Sequence, residues 1–436
     1  MNRLLSDYGM VFVLVALCAL FSVLTLNDQT PQGSAALAEL VDSIDKRSEP
    51  THPVIAVGAV NTPSADLATQ VTKELQARGY SSVQRIIGTP RDLRLALDAT
   101  TQDSGTPPLV VASGDVLQWK VLESLAADTL ISPQTRRWPD FLKRTNLLAI
   151  VDRIVVIAVI AIGMTLVIIT AGIDLSVGSL IALSAVVGTL LMKHLGGQDA
   201  PPWVVGAGFL AGTLSCGVIG AAGGMIVARF KVAPFITTLA IRMMARGFSF
   251  MITGGFSIYQ VPKSLPWLGQ GTTLGIPNTV LLLILLYAAA HLFMAHTRMG
   301  RYIYAVGGNE EAARLSGVPV GFVLVFVYTI SALTAGLGGC IQASQLNTGT
   351  PNLGTMYELY VIAAVVVGGT SLAGGSGRIL GTLIGAFIIS VIQNGMNLLG
   401  MESYTQQVVL GAVILGAVLL DKVRSGGQWP AFLRMN

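Results

Sequence analysis

Asp174 is a lone carboxylate between two long apolar runs, Ile154 to Ile169 and Leu180 to Met192. It lies in the stretch Thr170-Ala-Gly-Ile-Asp-Leu-Ser-Val-Gly-Ser179. An acid in that setting is costly unless it faces protein, water or the membrane interface. Gly172, Gly178, Ser176 and Ser179 suit a broken or re-entrant helix, whose freed backbone groups must find partners inside the protein. The stretch is therefore a polar joint, either an element of a solute pathway or a tight loop between two spans. Asn347, Asn352, Gln393, Asn394 and Asn397 are uncharged amides in or beside apolar segments. They suit the wall of a mildly polar passage, or hydrogen bonds between helices. With Asp174 and Ser176 they form the candidate pathway set.

A second group lies in the largest charged loop between spans, Arg301 to Gly317. Asn309 is a good helix N-cap, and Glu310 and Glu311 fall in the first turn, where the helix dipole favours acids. Ala312, Ala313, Arg314 and Leu315 continue the helix, and Gly317 ends it. A short, capped, charged helix of this kind either docks into a partner or is a solvated connector. Covalent chemistry has no equipment here: no Walker sequence, zinc motif or nucleophile elbow is present. His52, His194, His291 and His296 are scattered without ligand spacing. Cys18, Cys216 and Cys340 all lie in apolar runs, as packing residues do. The chain is expected to hydrolyse nothing and to carry no metal or cofactor of its own.

The elements that must position these residues are membrane helices. Of 436 residues, 52% are hydrophobic and 11% charged, and mean hydropathy is +0.67. Soluble domains carry about 25% charged residues, so this is a polytopic membrane protein. The net charge of +4 reflects Lys and Arg in loops rather than nucleic-acid binding. The 49 glycines fit helices that pack closely through small residues.

Tyr8 to Leu26 reads as a signal peptide or an uncleaved first span, and the span is favoured because no good small-x-small cleavage site follows it; residues 1–29 form this segment. Residues 30–147 are of mixed charge. Strands are predicted at 54–60, 83–87 and 108–112, and helices at 64–78, 90–100 and 116–126, which implies a small α/β insert with a parallel sheet. The membrane part, 148–424, holds spans near 151–170, 175–193, 203–228, 233–252, 278–296, 320–342, 358–372, 377–398 and 404–420. With the first span this makes about ten in an all-α architecture, followed by a tail at 425–436. Short-loop charge sets the orientation. One side carries Arg229, Lys231, Arg298, Arg301, Arg314, Arg378 and Lys422, the other only Lys193 and Lys263. Both termini are therefore expected in the cytoplasm and the insert outside. Asp174 to Thr189 echoes Asn352-Leu-Gly-Thr and Ile362 to Thr370, as an inverted repeat or a chance likeness between Gly-rich helices. Glu358 is placed near the outer surface, facing a binding protein or water. Arg242 and Arg246 lie within a span and should face protein or snorkel.

Glu311-Ala-Ala-x-x-x-Gly317 matches the coupling motif of ABC-type importers. Tyr304 to Gly317, Gly163 to Ser179, Lys231-Val-Ala-Pro-Phe-Ile-Thr-Thr-Leu239, Val367 to Gly375 and Gln393-Asn-Gly-Met-Asn-Leu-Leu-Gly400 resemble the permeases that import ribose, arabinose, xylose and related sugars. The resemblance covers about 141–424. It implies a permease subunit in the inner membrane of a bacterium. Its partners would be a cytoplasmic ATP-binding cassette subunit, which binds the ATP, an extracytoplasmic solute-binding protein and a second permease copy, identical or related. Residues 309–317 would take the ATPase contact, and transport would proceed by alternating access. A nucleoside or other small polar solute is an alternative cargo, and an ATP-independent transporter or channel an alternative class. Two departures stand out. Over a hundred residues separate the first span from Phe141–Asn146, and Tyr360 stands where the resemblance implies Asp.

Overall fold

The computed structural model describes residues 2–31, 33–126 and 128–424. The tail at 425–436 lies outside the described residues. Two compact units emerge: residues up to Thr25 together with those from Phe141 onward, and Leu26–Asp140.

Helix α1 spans Asn2–Leu24. The smaller unit then opens with β1, Leu26–Gln29, and closes with β6, Arg136–Pro139, which pair antiparallel with Leu26 opposite Pro139. Between them run α2 (Gly33–Asp45), β2 (Val54–Ala59), α3 (Pro63–Ala77), β3 (Val83–Gly88), α4 (Pro90–Ser104), β4 (Leu109–Val111), α5 (Lys120–Glu123) and β5 (Leu130–Ile131). The four inner strands form a parallel sheet in the order β3-β2-β4-β5. β2 is apolar throughout because helices cover both faces. Its alternation shows this: Val54 and Ala56 pack with Leu40, Val71 and Leu75 of α2 and α3. Ile55 and Val57 pack with Leu93 of α4 and Val116 on the other face. The helix expected over 116–126 is instead a 3₁₀ turn, Gly114–Gln118, and the single turn of α5. Trp119 between them adopts extended backbone, at φ −74°, ψ 122°.

The larger unit continues with α6 (Arg144–Ile169), α7 (Val177–His194), α8 (Trp203–Phe230), α9 (Pro234–Thr253), α10 (Pro266–Gln270) and α11 (Asn278–His296). It ends with α12 (Arg298–Gly308), α13 (Glu310–Leu315), α14 (Val320–Leu346), α15 (Tyr357–Val367), α16 (Ile379–Leu398) and α17 (Ser403–Arg424). Among the described residues seven helices are long and apolar enough to cross a membrane: α6, α7, α8, α9, α11, α14 and α16. Three shorter apolar helices, 9–24, 357–367 and 403–419, accompany them. α15 has 11 residues, about half the length a bilayer core requires. The core of this unit is α6, whose residues from Ile154 to Ile169 are all buried. Small residues set the closest approaches. A side chain on Gly336 of α14 would meet the Thr213 backbone of α8, and one on Gly212 of α8 would meet Ser184 of α7.

Candidate functional site

The bundle breaks twice, and the breaks gather its buried polar groups. α6 stops where Ala171 takes left-handed backbone, φ +58°, and the chain runs without helix to Ser176. Asp174, 2% exposed, organises this first joint. Its Oδ1 accepts from the Ser176 backbone N–H at 2.9 Å and the Ser176 hydroxyl at 2.6 Å. Its Oδ2 accepts from the Ser331 hydroxyl of α14 at 2.8 Å. Thr238 Oγ1 of α9 accepts from Leu175 N–H at 3.1 Å. Backbone groups freed by the break are thus bound by Asp174 within the joint and by Thr238 of α9, while Ser331 of α14 anchors the Asp174 carboxylate.

The second joint, residues 347–356, carries three left-handed residues: Asn347 (φ +52°), Gly354 (φ +68°) and Met356 (φ +68°). Arg246 of α9 holds it. Nη1 donates to Pro351 O at 2.6 Å and to Leu353 O at 2.8 Å, and Nη2 reaches Gly178 O at 3.5 Å. One guanidinium therefore ties both joints together, using its fixed fork of donors. Gly354 and Gly178 lie so close that a side chain on either would meet the other's carbonyl or its neighbours. The two echoing stretches of sequence thus meet in space. Arg242, one turn earlier on α9, pairs with Glu358 at 2.6 Å. The Glu358 side chain is 1% exposed, which corrects the expectation that it faces a binding protein or water. It lies in the first turn of α15, where the helix dipole and Arg242 together compensate its burial.

The structure brings together some of the sequence-predicted pathway residues and separates others. Asp174 and Ser176 bond to each other. Gln393 and Asn394 are buried on α16, and Asn394 Nδ2 donates to Asn146 Oδ1 at 2.9 Å. Asn397 is exposed, and its Oδ1 accepts from Gln406 of α17 at 2.8 Å. Asn347 and Asn352 are exposed in the second joint. A groove of about 450 Å³ beside α11 and α14 is apolar, lined by Leu286, Phe293, Phe326 and Ile330 among others, and none of these seven lines it. Sequence reasoning placed Arg246 in a span, facing protein or snorkelling, and missed its clamp on the second joint. Its partners lie 105 and 107 residues away, and no local pattern announces them.

The other site is the hairpin of α12 and α13. Asn309 caps α13 as its residue type implies, its Oδ1 accepting from Ala312 N–H at 2.9 Å. Gly317 ends the segment at φ +81°. Glu311, Ala312, Arg314 and Gly317 are exposed, Leu315 is 82% exposed and Ala313 is buried beneath them. Glu310 pairs with Lys231 Nζ at 2.9 Å and Arg314 Nη2 at 2.5 Å. Lys231, left-handed at φ +58°, ends α8, so this pair links α13 to the joint between α8 and α9. The base of the hairpin is knit to two other segments. Tyr304 O–H donates to Gly377 O at 2.9 Å, and Gly375 N–H donates to Ile169 O at 2.9 Å, directly beside Gly307.

The Lys231 hydrogen bond, with Arg314 adding to it, holds the Glu310 carboxyl below the ordinary carboxylate range. A depressed native value stabilises the fold only above the unfolded pKa of roughly 4.3. The contribution is lost as pH falls through the native value. Both side chains are about half exposed, so the effect is below about 1 kcal/mol. Thermal melting of wild type and Glu310→Gln should differ slightly at pH 7, converge as pH falls through the lowered native value of that carboxyl, and differ less in high salt.

Many-helix architecture, polar breaks inside the bundle and an exposed capped hairpin define a membrane transport component. The chain belongs to the family described as branched-chain amino acid transport system / permease component, whose pattern matches residues 146–418. It is 45% identical over 288 residues to the ribose import permease protein RbsC of Escherichia coli (strain K12), covering 65% of this chain and 87% of that one. It is 42% identical over 290 residues to the protein of that name from Bacillus subtilis (strain 168), at 66% and 88% coverage. Identity to the D-allose transport system permease protein AlsC of E. coli (strain K12) is 37% over 285 residues, at 65% and 86% coverage. No solved structure matches.

Proposed function

We propose that this chain is the membrane-spanning permease subunit of an ATP-driven monosaccharide importer, working by alternating access in the inner membrane of a bacterium. The observation that carries this is the 45% identity to a ribose import permease across nearly all of that relative's length. The allose permease supports a sugar cargo in the same way. In this reading ATP is bound and hydrolysed by a separate cassette subunit. A solute-binding protein delivers cargo from outside, and a second permease copy completes the pathway. Both termini and the α12–α13 hairpin lie in the cytoplasm, the 26–140 unit lies outside, and the shorter helices complete ten passes. Asp174 and Ser176 shape the joint, while Asn347 and Asn352 are exposed to a passing solute.

α13 is the ATPase contact in this reading. It presents Glu311, Arg314 and Leu315 outward, and the hairpin's base abuts the end of α6 at Ile169 and the α15–α16 connection at Gly375. A push on the hairpin would therefore reach the first joint within a few residues. Replacing Gly317 by Val strains a left-handed position by about 1–2 kcal/mol and re-aims the chain after α13. The variants Glu311→Lys and Gly317→Val should cut co-purification of the cassette subunit at least tenfold and abolish ribose uptake, with the permease itself still folded. Undiminished co-purification and uptake would sink the assignment.

A further inference from the structure

At the level of Arg153, about 24 Å along α6 from the Ile169 end, three side chains from two further helices meet. Gln342 of α14 donates from Nε2 to the Tyr357 hydroxyl of α15 at 2.9 Å. Tyr357 and Tyr360 are one helix turn apart, their ring centroids 6.1 Å apart at 64°. Arg153 lies within electrostatic reach of both phenols and makes no ion pair among the described residues. Gln342 Oε1 is buried and has no hydrogen-bond partner.

A buried polar atom left without a partner in a folded protein calls for an explanation. Here the geometry offers one. The Tyr357 oxygen accepts from Gln342, so its own O–H is free to donate; Gln342 Oε1, beside it, is free to accept. Flipping the amide exchanges these roles and leaves the same complement, one donor and one acceptor side by side. A hydroxyl, which both donates and accepts, satisfies both at once. The half-buried rings of Tyr357 and Tyr360 add flat apolar faces, and the exposed Arg153 adds further donors. Such a set, aromatic faces with a few convergent polar groups, suits a small polyhydroxylated ligand. It would be expensive against lipid, so it faces water or protein.

We infer that Gln342, Tyr357, Tyr360 and Arg153 form a sugar-reading site on the transport path, with the Gln342–Tyr357 pair reading one hydroxyl of the cargo. The inference rests on the functional reading above and adds to it the residues that select the solute. Tyr360, which stands where the resemblance implies Asp, contributes an uncharged aromatic side chain to this wall. Oε1 is covered in this conformation. α15 is short and flanked on both sides by non-helical chain, at 347–356 and 368–378, so its displacement from α14 during the cycle uncovers the pair.

The test uses the full chain with its cassette and binding protein, and measures uptake of D-ribose and of its 2-, 3- and 5-deoxy analogues. Each rate for Gln342→Leu and for the near-isosteric Tyr357→Phe is divided by the wild-type rate for the same solute, which cancels the binding protein's own preference. The expected result is a ratio of one tenth or lower for ribose and a ratio near one for the single analogue that lacks the hydroxyl read. Tyr357→Phe keeps the ring and its packing, so it reports even if Gln342→Leu fails to fold. Ratios equal across all four solutes, whether low or near one, would mean a structural role and overturn the site alone. Wild type that transports none of the four, and neither D-allose nor D-galactose, would overturn the functional reading, and this site with it.

Discussion

Arg246→Met will lower the thermal stability of the detergent-solubilised chain more than any other single polar substitution in the bundle, and will abolish transport. The Pro351 and Leu353 carbonyls that Nη1 serves belong to buried residues and have no helix to return to. Each loses a charge-assisted bond, and an unsatisfied buried carbonyl costs about 1–3 kcal/mol, so the pair loses roughly 2–6 kcal/mol. Met fills the space of the stem without restoring a donor. Arg246→Lys should fall between the two, because an ammonium lacks the planar fork that reaches both carbonyls at once. Glu358 adds to the cost in the Met variant, since Arg246 also contributes to the positive field around it. Melting curves of wild type, Lys and Met variants decide the matter. An unchanged midpoint for Met would mean that water serves the second joint.

Gly307→Val should be as damaging, while Gly308→Ala, its neighbour, should be harmless. A Cβ on Gly307 would run into the carbonyl oxygen of Ile169 and lie 2.7 Å from Gly375 N. These two atoms hydrogen-bond to each other, so the added side chain must break that bond or push α12 off the bundle. Overpacking of this sort costs about 1–3 kcal/mol or more, and here the obstruction is backbone that cannot turn aside. A Cβ on Gly308 would meet nothing within 4 Å, and alanine gains up to about 1 kcal/mol of helix propensity over glycine. Expression level, melting point and ATP-dependent uptake of the two variants should therefore diverge. Since Gly307 lies where the hairpin joins the end of α6, a Val variant that folds should still bind the cassette subunit but transport poorly. Equal behaviour of the two variants would show that this knot is not rigid.

Much of this architecture was legible because its causes are local. Apolar runs of membrane length marked α6, α7, α8, α9, α11, α14 and α16 within a few residues, since burial in lipid requires that length whatever the neighbours are. Alternation of β-branched runs with amphipathic stretches marked the parallel sheet of the 26–140 unit. Asn309 and Gly317 marked the two ends of α13, because capping acts within a turn. The helix α2 was missed although Ala36, Leu40, Val41 and Ile44 share its buried face; its helical periodicity was there to be read. The break at Trp119 and the pairing of β1 with β6 had no comparable local signal.

The sequence by itself determined that this is a polytopic membrane protein, where its long helices run, and that a capped helix projects between two of its spans; each follows from hydrophobic length or turn chemistry within a short window, while the permease reading came from motif resemblance. Only the tertiary structure decided what the polar residues do there. Asp174 turned out to bind Ser176 and Ser331, Glu358 to be buried on Arg242, and Arg246 to join two breaks that lie far apart along the chain. The reason is physical: a buried charge or carbonyl takes whichever partner the packing brings within about 3 Å, and packing is a property of the whole bundle.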